Sequence, residues 1–289
     1  MKGIILAGGS ATRLRPASFA VSKQLMPVYD KPLIYYPLST LMLSGVREIL
    51  LISSPKDITN YEKLFLNSNE WGISIEYAIQ DNPNGLAEAL IIGESFIAGN
   101  SSTLILGDNL FHGSGLGRNL AQGFHDSGAQ IGAYHVANPE EFGVVEFDKE
   151  GQIITLEEKP SQPKSNWVVP GIYIYDGTAS DRAKLLKPSA RGELEITDLN
   201  ISYLNDGKLT AKLFPRGTTW LDMGNPNSLL EAAEYVKIIQ ERQGTLIGSP
   251  EEAAWSMGWI SDSDLLKVAS YNGNTDYAKA LTKILEERQ

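Results

Sequence analysis

A glycine pair followed by two basic residues is the first part of the sequence with the residue types for chemistry. Gly8 and Gly9 follow an apolar run, and Arg13 and Lys23 come shortly after them. Glycines let backbone N–H groups approach a phosphate, the guanidinium of Arg13 suits phosphate oxygens, and Lys23 adds a second positive charge. The same residues would also form a tight turn with solvated charges, and for the glycine pair alone that is the better interpretation.

The spacing of these residues excludes two common nucleotide-binding motifs. A P-loop requires the pattern G-x-x-x-x-G-K-[ST], which the turn lacks. A dinucleotide fingerprint requires a third glycine at a fixed offset and an acidic residue after the next strand, but that strand ends in Ser53 and Ser54. We therefore expect neither a P-loop protein nor a nicotinamide oxidoreductase.

Two further polar positions follow apolar runs later in the chain. Asp108 comes after residues 104–107 (LILG), and the carboxyl end of a strand is where a ligand or metal ion is expected. Lys159 precedes Pro160, so we expect an extended backbone and a fixed side-chain direction at Lys159. Taken alone, the position of Asp108 is also typical of a turn residue. Residues 157–159 (EEK), taken alone, have the pattern of an exposed charged run.

Alternating strands and helices position these residues in the first half of the chain. Strands are predicted over 2–7, 47–53, 73–79 and 103–106, and helices over 32–44 and 86–97. This order is typical of an α/β fold with a Rossmann-like, mainly parallel sheet that binds ligands at the carboxyl ends of its strands.

The second half is predicted to extend the sheet and to end in helices. Closely spaced strand patterns indicate a mixed or antiparallel extension that forms the second wall of a cleft, over 143–147, 153–157, 168–175 and 209–214. From Pro226 the pattern is helical, with Ser249 as an N-cap and Pro250 at the first helical position. We expect an α/β domain over 1–240 and a C-terminal helical subdomain over 241–289.

Composition restricts the classes of function. The chain has 289 residues with 25 Lys and Arg against 35 Asp and Glu, a net charge of −10 that disfavours binding along DNA or RNA. It has no cysteine, and His112, His125 and His135 are not spaced as metal ligands. No apolar run is long enough for a signal peptide or a membrane span. We expect a cytoplasmic protein with no nucleic-acid or membrane partner.

Several motifs together resemble those of the sugar-phosphate nucleotidyltransferase family. The general signature is carried by residues 6–9 (LAGG), 12–14 (TRL) and 23–27 (KQLMP). The resemblance is narrowed to the branch that uses dTTP and glucose 1-phosphate by residues 31–42 (KPLIYYPLSTLM), 106–109 (LGDN), 156–160 (LEEKP) and 191–198 (RGELEITD). It implies an in-line attack of glucose 1-phosphate on the α-phosphorus of dTTP, with Mg²⁺ as cofactor, giving dTDP-glucose for deoxysugar synthesis of the dTDP-rhamnose type.

The resemblance also implies a role for individual residues. The catalytic residues would be Arg13, Lys23, Asp108, Lys159 and Asp222. Asp108 and Asp222 would hold Mg²⁺. The nucleotide would be bound by Leu6, Gly8, Gly9, Thr12, Arg13, Gln24, Gln80, Pro83 and Gly85, with the amides at the thymine edge and Gly85 leaving room for the base. The sugar would be bound by Gly143, Glu158, Lys159, Val169, Glu193 and Trp220. Family members tend to be homotetramers.

Three positions depart from the family pattern. Ala11 replaces the third glycine of the loop, which costs about 1 kcal/mol if that position has a positive φ. Phe142 stands where a tyrosine is common in the family. Residues 223–227 (MGNPN) replace the Thr-Gly-Thr-His-Asp run that is more usual after the second aspartate. None of these changes removes a charged group assigned above, so we expect the activity to be retained.

Two other functions remain compatible with the sequence. UTP differs from dTTP at the base by one methyl group, which discriminates by only about 10–200-fold at best. A non-catalytic nucleotide-sugar binding protein would keep the same pocket. The presence of Arg13, Asp108, Lys159 and Asp222 together favours the enzyme.

Overall fold

Strands and helices alternate along most of the chain. The computed structural model describes residues 1–121 and 127–287, so His125 lies outside the described residues. The strands are β1 (Lys2–Leu6), β2 (Pro27–Val28), β3 (Lys31–Pro32), β4 (Glu48–Ser53), β5 (Ser74–Ile79), β6 (Ser102–Leu106), β7 (Asn109–His112), β8 (Ala129–His135), β9 (Gly143–Phe147), β10 (Ile153–Glu158), β11 (Trp167–Val168), β12 (Ile172–Tyr175), β13 (Leu209–Leu213) and β14 (Thr219–Asp222). The α-helices are α1 (Tyr35–Leu43), α2 (Ile58–Leu64), α3 (Glu88–Ile92), α4 (Glu94–Ile97), α5 (Leu116–Ala121), α6 (Ala179–Lys184), α7 (Ile196–Asn205), α8 (Pro226–Gln243), α9 (Pro250–Ser256), α10 (Asp262–Tyr271) and α11 (Asp276–Glu287).

Four parallel strands form the half of the main sheet that carries the glycine-rich turn. Their order is β5-β4-β1-β6. Ile4 and Ile5 of β1 are buried in two different apolar clusters, because successive side chains of a strand point to opposite faces of the sheet. Leu6 at the end of β1 pairs with Leu106 at the end of β6. The turn after β1 and Asp108 therefore emerge side by side at the carboxyl edge of the sheet.

Antiparallel strands extend this sheet. β12 lies antiparallel between β6 and β8, the antiparallel order continues through β11, β9 and β10, and β13 pairs parallel with β8. β7 and β14 form a separate two-stranded sheet. The predicted fold class, a Rossmann-like parallel sheet with a mixed extension and C-terminal helices, is confirmed.

Two predicted helices are wrong in extent. The helix predicted from residue 32 begins at Tyr35, because β3 first pairs with β2 in a short hairpin. The helix predicted over 86–97 is divided into α3 and α4 at Gly93, where an added Cβ would lie only 3.0 Å from Ile4 Cδ1. The break between α3 and α4 coincides with the close packing of Gly93 on β1.

The strand predicted over 168–175 is wrong as a single element. It is divided into β11 and β12 around Pro170, which has no N–H to donate to a strand ladder. On either side of this proline, Val169 N–H donates to Gly143 O at 2.8 Å and Gly171 N–H donates to Asn109 Oδ1 at 3.3 Å. The break thus turns backbone groups toward neighbouring elements.

The C-terminal helices α9, α10 and α11 pack on the same apolar core as α1, whereas α8 packs in a separate apolar cluster with β2. α8 begins with a capping box between Asn225 and Ser228, and α9 has the predicted Ser249 N-cap. Ala254 of α9 lies in one apolar cluster with Leu38 of α1. Among the described helices, none is both long and apolar enough to cross a membrane. The division into an α/β domain and a helical subdomain stays a prediction.

Candidate active site

Two adjoining cavities open at the carboxyl edge of the parallel strands. The smaller cavity has a volume of about 160 Å³ and the larger about 290 Å³. Four residues line both cavities: Leu86, Leu106, Asp108 and Glu193. The chain therefore contains two compartments that share one wall, and that wall carries two carboxylates.

The predicted site residues divide between these compartments. The smaller cavity is lined by Leu6, Gly8, Gly9, Gln24, Gln80, Pro83 and Gly85. The larger cavity is lined by Arg13, Gly143, Glu158, Lys159, Val169, Trp220 and Asp222. Thr12 and Lys23 line neither cavity. Thr12 is exposed at the start of a 3₁₀ turn, whereas Lys23 forms an ion pair with Asp108.

The turn after β1 contains an alanine in the left-handed conformation. Ala11 has φ 43° and ψ 40°, a region that costs a residue with a Cβ about 1–2 kcal/mol. The carbonyl of Ala11 accepts hydrogen bonds from the Ser18 hydroxyl at 2.8 Å and from Leu14 N–H at 3.0 Å. These bonds hold the turn in its strained form. Because φ is positive, alanine in place of glycine at position 11 carries the conformational free-energy cost expected from the sequence for a positive φ.

Replacing Ala11 with glycine is expected to raise the free energy of unfolding by about 1 kcal/mol, because glycine adopts this conformation without steric cost. Urea unfolding measures the change. Ala98→Gly is the matched control, since Ala98 has φ 49° at the end of α4 and lines neither cavity. A loss of stability in Ala11→Gly beside a gain in Ala98→Gly would contradict strain at Ala11.

A buried amide and a glycine shape the smaller cavity. Gln24 is 3% exposed; its Oε1 accepts from the Ser22 hydroxyl at 2.7 Å, and its Nε2 donates to Gly8 O at 3.3 Å. Gly85 has φ 113°, and a Cβ there would lie 2.4 Å from the carbonyl oxygen of Leu194. Glycine is therefore required at position 85 by the neighbouring backbone of Leu194 and by the positive φ. This requirement is independent of the space that glycine leaves for a base.

Asp108 and Asp222 line the same cavity although they are far apart in the sequence. The pairing of β7 with β14 places Asp222 opposite Asn109, the residue after Asp108. Burial, and then the negative charge of Asp108, raises the pKa of Asp222 to about 6, while Lys23 and Arg13 act in the opposite direction. The two carboxylates repel each other, and a cation between them would relieve that repulsion.

The donors at this position suit a hard divalent cation that has other ligands as well. Within residues 1–121 and 127–287, no three His, Asp or Glu side chains converge into a closed metal cage. Mg²⁺ typically binds one or two carboxylates and completes its coordination with phosphate oxygens and water. Asp108 and Asp222 fit that kind of site, in which a bound ligand supplies the remaining oxygens.

An acceptor and a cation lie next to each other in the larger cavity. Glu158 Oε2 accepts from the Thr197 hydroxyl at 2.6 Å, and Lys159 Nζ lies 3.8 Å from Glu158 Oε1. A Cβ on Gly143 would lie 3.5 Å from Glu158 Oε2, so glycine there leaves the carboxylate accessible. This pair suits a ligand that carries both hydroxyl groups and an anionic group.

The backbone at Lys159 is not extended, which corrects the prediction made from Pro160. Its φ is 44°, in the left-handed region. The N–H of Lys159 donates to Phe142 O at 3.0 Å, which continues the pairing of β10 with β9 by one residue. This long-range hydrogen bond outweighs the local preference before proline, and strained backbone of this kind clusters at functional sites.

Aromatic rings close one side of the larger cavity. Trp220 packs edge-on against Phe142 and Tyr134, with ring centroids 5.0 and 5.6 Å apart. Its Nε1 donates to Asn109 Oδ1 at 2.6 Å, and Asn109 Nδ2 donates to Asp108 Oδ1 at 2.8 Å. The buried amide therefore connects the aromatic wall to the carboxylate. Phe142 contributes apolar surface here rather than a hydroxyl.

Arg191 is a cation of the larger cavity that sequence analysis did not select. Its Nη2 donates to both carboxylate oxygens of Glu195 at 2.9 Å and lies 3.7 Å from Glu158 and 3.8 Å from Glu193. The signal that could have identified it is the run 191–195 (RGELE), an arginine among glutamates at the predicted sugar side.

Comparisons with known proteins show the family to which the chain belongs. Residues 2–238 match the family model described as nucleotidyl transferase. The chain is 51% identical to glucose-1-phosphate thymidylyltransferase of Mycobacterium tuberculosis over 286 residues, or 99% of each chain. It is 51% identical to the Neisseria meningitidis enzyme of the same name over 288 residues, or 99% of this chain and 100% of that one.

A solved structure extends these comparisons to three dimensions. A Bacillus anthracis protein in complex with sucrose superposes with a TM-score of 0.75 at 38% identity, covering 81% of this chain and 94% of that chain. The chain belongs to the nucleotidyl transferase family, in the group of the glucose-1-phosphate thymidylyltransferases.

Proposed function

We propose that this chain transfers the thymidylyl group of dTTP to α-D-glucose 1-phosphate, forming dTDP-glucose and pyrophosphate. The observation that carries the proposal is the pair of adjoining cavities with Asp108 in their common wall. Such a pair suits a reaction in which two bound ligands must meet. The relatives named glucose-1-phosphate thymidylyltransferase support the identity of both substrates.

The chemistry is a direct displacement. A phosphate oxygen of glucose 1-phosphate attacks the α-phosphorus of dTTP, the bond from that phosphorus to the bridging oxygen breaks, and pyrophosphate leaves with the electron pair. The main barrier is the repulsion between two anions and their alignment, so positioning and charge neutralisation carry the catalysis.

Basic side chains of this chain supply the neutralisation. Lys159 holds the phosphate of the sugar in the larger cavity. Arg13 extends from the turn after β1 to the neighbourhood of Asp222. The position that a Cβ on Gly224 would occupy lies 3.1 Å from Arg13 Nη2 and 3.4 Å from Asp222 Oδ2. This placement of Arg13 suits contact with the triphosphate. Lys23 offsets the charge of Asp108 through their ion pair.

Asp108 and Asp222 would hold Mg²⁺. When bound, the ion supplies Lewis-acid stabilisation of negative charge on phosphate oxygens. The two carboxylates suit a metal ion because the pairing of β7 with β14 brings them to the same cavity.

The remaining residues recognise the base and the sugar. Gln24 and Gln80, both buried at the smaller cavity, face the edge of the pyrimidine. Glu158 accepts hydrogen bonds from glucose hydroxyls, and Trp220 forms an apolar wall beside the sugar ring. On the family resemblance we also propose a homotetramer in the cytoplasm that serves dTDP-deoxysugar synthesis of the dTDP-rhamnose type.

The test is an assay of pyrophosphate release for every pairing of dTTP, UTP and dCTP with glucose 1-phosphate and other hexose 1-phosphates. The proposal expects the highest kcat/KM for dTTP with glucose 1-phosphate, with a preference over UTP of no more than about 10–200-fold. Preference for UTP would reassign the nucleotide. Binding without pyrophosphate release in any pairing would contradict the enzyme and favour a nucleotide-sugar binding protein.

A further inference from the structure

The amide of Gln80 is held from behind by a carboxylate. Gln80 is 6% exposed and follows β5 at the smaller cavity. Its Nε2 donates to Glu88 Oε2 at 2.7 Å and to Gly85 O at 3.3 Å. Glu88 is the first residue of α3, is half-buried, and lines neither cavity.

Both acceptors determine which way the amide faces. A carboxylate and a backbone carbonyl can only accept hydrogen bonds, so the atom of Gln80 that faces them must be the NH₂ nitrogen. The carbonyl oxygen of Gln80 then points the other way, and it lies 2.9 Å from the place that a Cβ on Gly8 would occupy. Among the described residues, the Gln80 amide forms its hydrogen bonds through Nε2, and no residue donates to its oxygen. It is a free acceptor in the wall of the cavity.

Glu88 is itself fixed in place. Asn84 Nδ2 donates to Glu88 Oε1 at 2.9 Å, and Asn84 O accepts from Leu194 N–H at 2.6 Å. The carbonyl of Leu194 in turn accepts from Ala87 N–H at 3.2 Å. The segment that carries the carboxylate is therefore bonded to the backbone of Leu194, the residue after Glu193 in the common wall of the two cavities, and Glu88 cannot readily turn away from Gln80.

We propose that Glu88 selects the base of the nucleotide by locking the Gln80 amide with its oxygen toward the cavity. The inference rests on the proposed function and names its base specificity. Thymine and uracil present an N3–H donor at the pairing edge, which the Gln80 oxygen accepts. Cytosine presents an unprotonated N3, so two acceptors would face each other. Admitting cytosine would require the amide to flip and its bond to Glu88 to break, which is why a site built for one pattern rejects the other.

The test compares kcat/KM for dTTP, UTP and dCTP, each with glucose 1-phosphate, in the wild-type chain and in Glu88→Gln. The glutamine can either accept from Gln80 Nε2 or donate to Gln80 Oε1, so only the longer hydrogen bond to Gly85 O, at 3.3 Å, still favours the orientation with the oxygen toward the cavity. The preference for dTTP over dCTP is expected to fall by about tenfold or more, the size of one hydrogen bond to a charged group. The preference for dTTP over UTP should not change, because both bases present N3–H.

Glu94→Gln is the matched control, because Glu94 is the first residue of α4, pairs with Lys184 and lines neither cavity. It should leave all three kcat/KM values unchanged. Asn84→Ala is a second variant, expected to lower the dTTP preference over dCTP in the same direction by loosening Glu88. Equal losses for all three nucleotides, or an unchanged ratio of dTTP to dCTP in both variants, would overturn the proposal. Failure of the wild-type chain to use dTTP would instead contradict the proposed function.

Discussion

Replacing Asp108 with asparagine is expected to lower kcat by at least about 10²–10³-fold, the usual effect of removing one electrostatic contact at a transition state. Asp108 lies in the wall common to both cavities, beside Asp222 and Lys23. Asparagine has nearly the same shape but lacks the charge that Mg²⁺ requires. Steady-state pyrophosphate release at saturating substrates measures the change, and circular dichroism checks that the fold is kept.

Asp206→Asn is the control for this prediction. Asp206 also pairs with a basic residue, since its carboxylate lies 2.7 Å from Arg182, but it is on the surface and half exposed. Its replacement should leave kcat unchanged. Turnover close to wild type in the Asp108 variant would mean that the metal ion is held elsewhere.

Replacing Lys159 with alanine is expected to raise the KM for glucose 1-phosphate by about 10–150-fold, and by clearly more than the KM for dTTP. One hydrogen bond to a charged group contributes about 1.5–3 kcal/mol, which corresponds to this range. Lys159 lines only the larger cavity, beside Glu158. Alanine also carries a Cβ, so the left-handed backbone at this position is under the same constraint in both chains.

Initial rates with one substrate varied at a time separate the two KM values. Lys164→Ala is the matched control, because Lys164 pairs with Glu157 at 2.6 Å and lines neither cavity. A larger rise in the KM for dTTP than for the sugar phosphate would reverse the assignment of the two compartments.

The sequence predicted the parts of the fold whose signal is local. Apolar runs such as residues 49–52 gave the parallel strands, and the Ser249-Pro250 pair gave the start of α9. The break at Gly93 was missed because it coincides with packing against β1, a distant part of the chain. The hairpin of β2 with β3 was missed because each of its strands is only two residues long. Helical periodicity alone does not detect such breaks.

In the candidate site too, the sequence predicted the features that have a local signal and missed those that depend on long-range contacts. The motif residues were identified from the sequence, but spacing could not show that Asp108 and Asp222 approach each other, since only the pairing of β7 with β14 brings them together. The left-handed backbone at Lys159 depends on a hydrogen bond to Phe142. Arg191 lies in the motif 191–198 but was assigned no role in the site, because an arginine beside glutamates also has the pattern of a solvated surface.

In the proposed reaction both ligands meet in one cleft and react in a single in-line step. The most direct test is the stereochemical course at the α-phosphorus, followed with a dTTP analogue that carries sulfur at one defined α-oxygen position. A single displacement predicts inversion of configuration in the nucleotide-sugar product. Retention of configuration would require two successive displacements through an enzyme-bound intermediate, and would contradict the account.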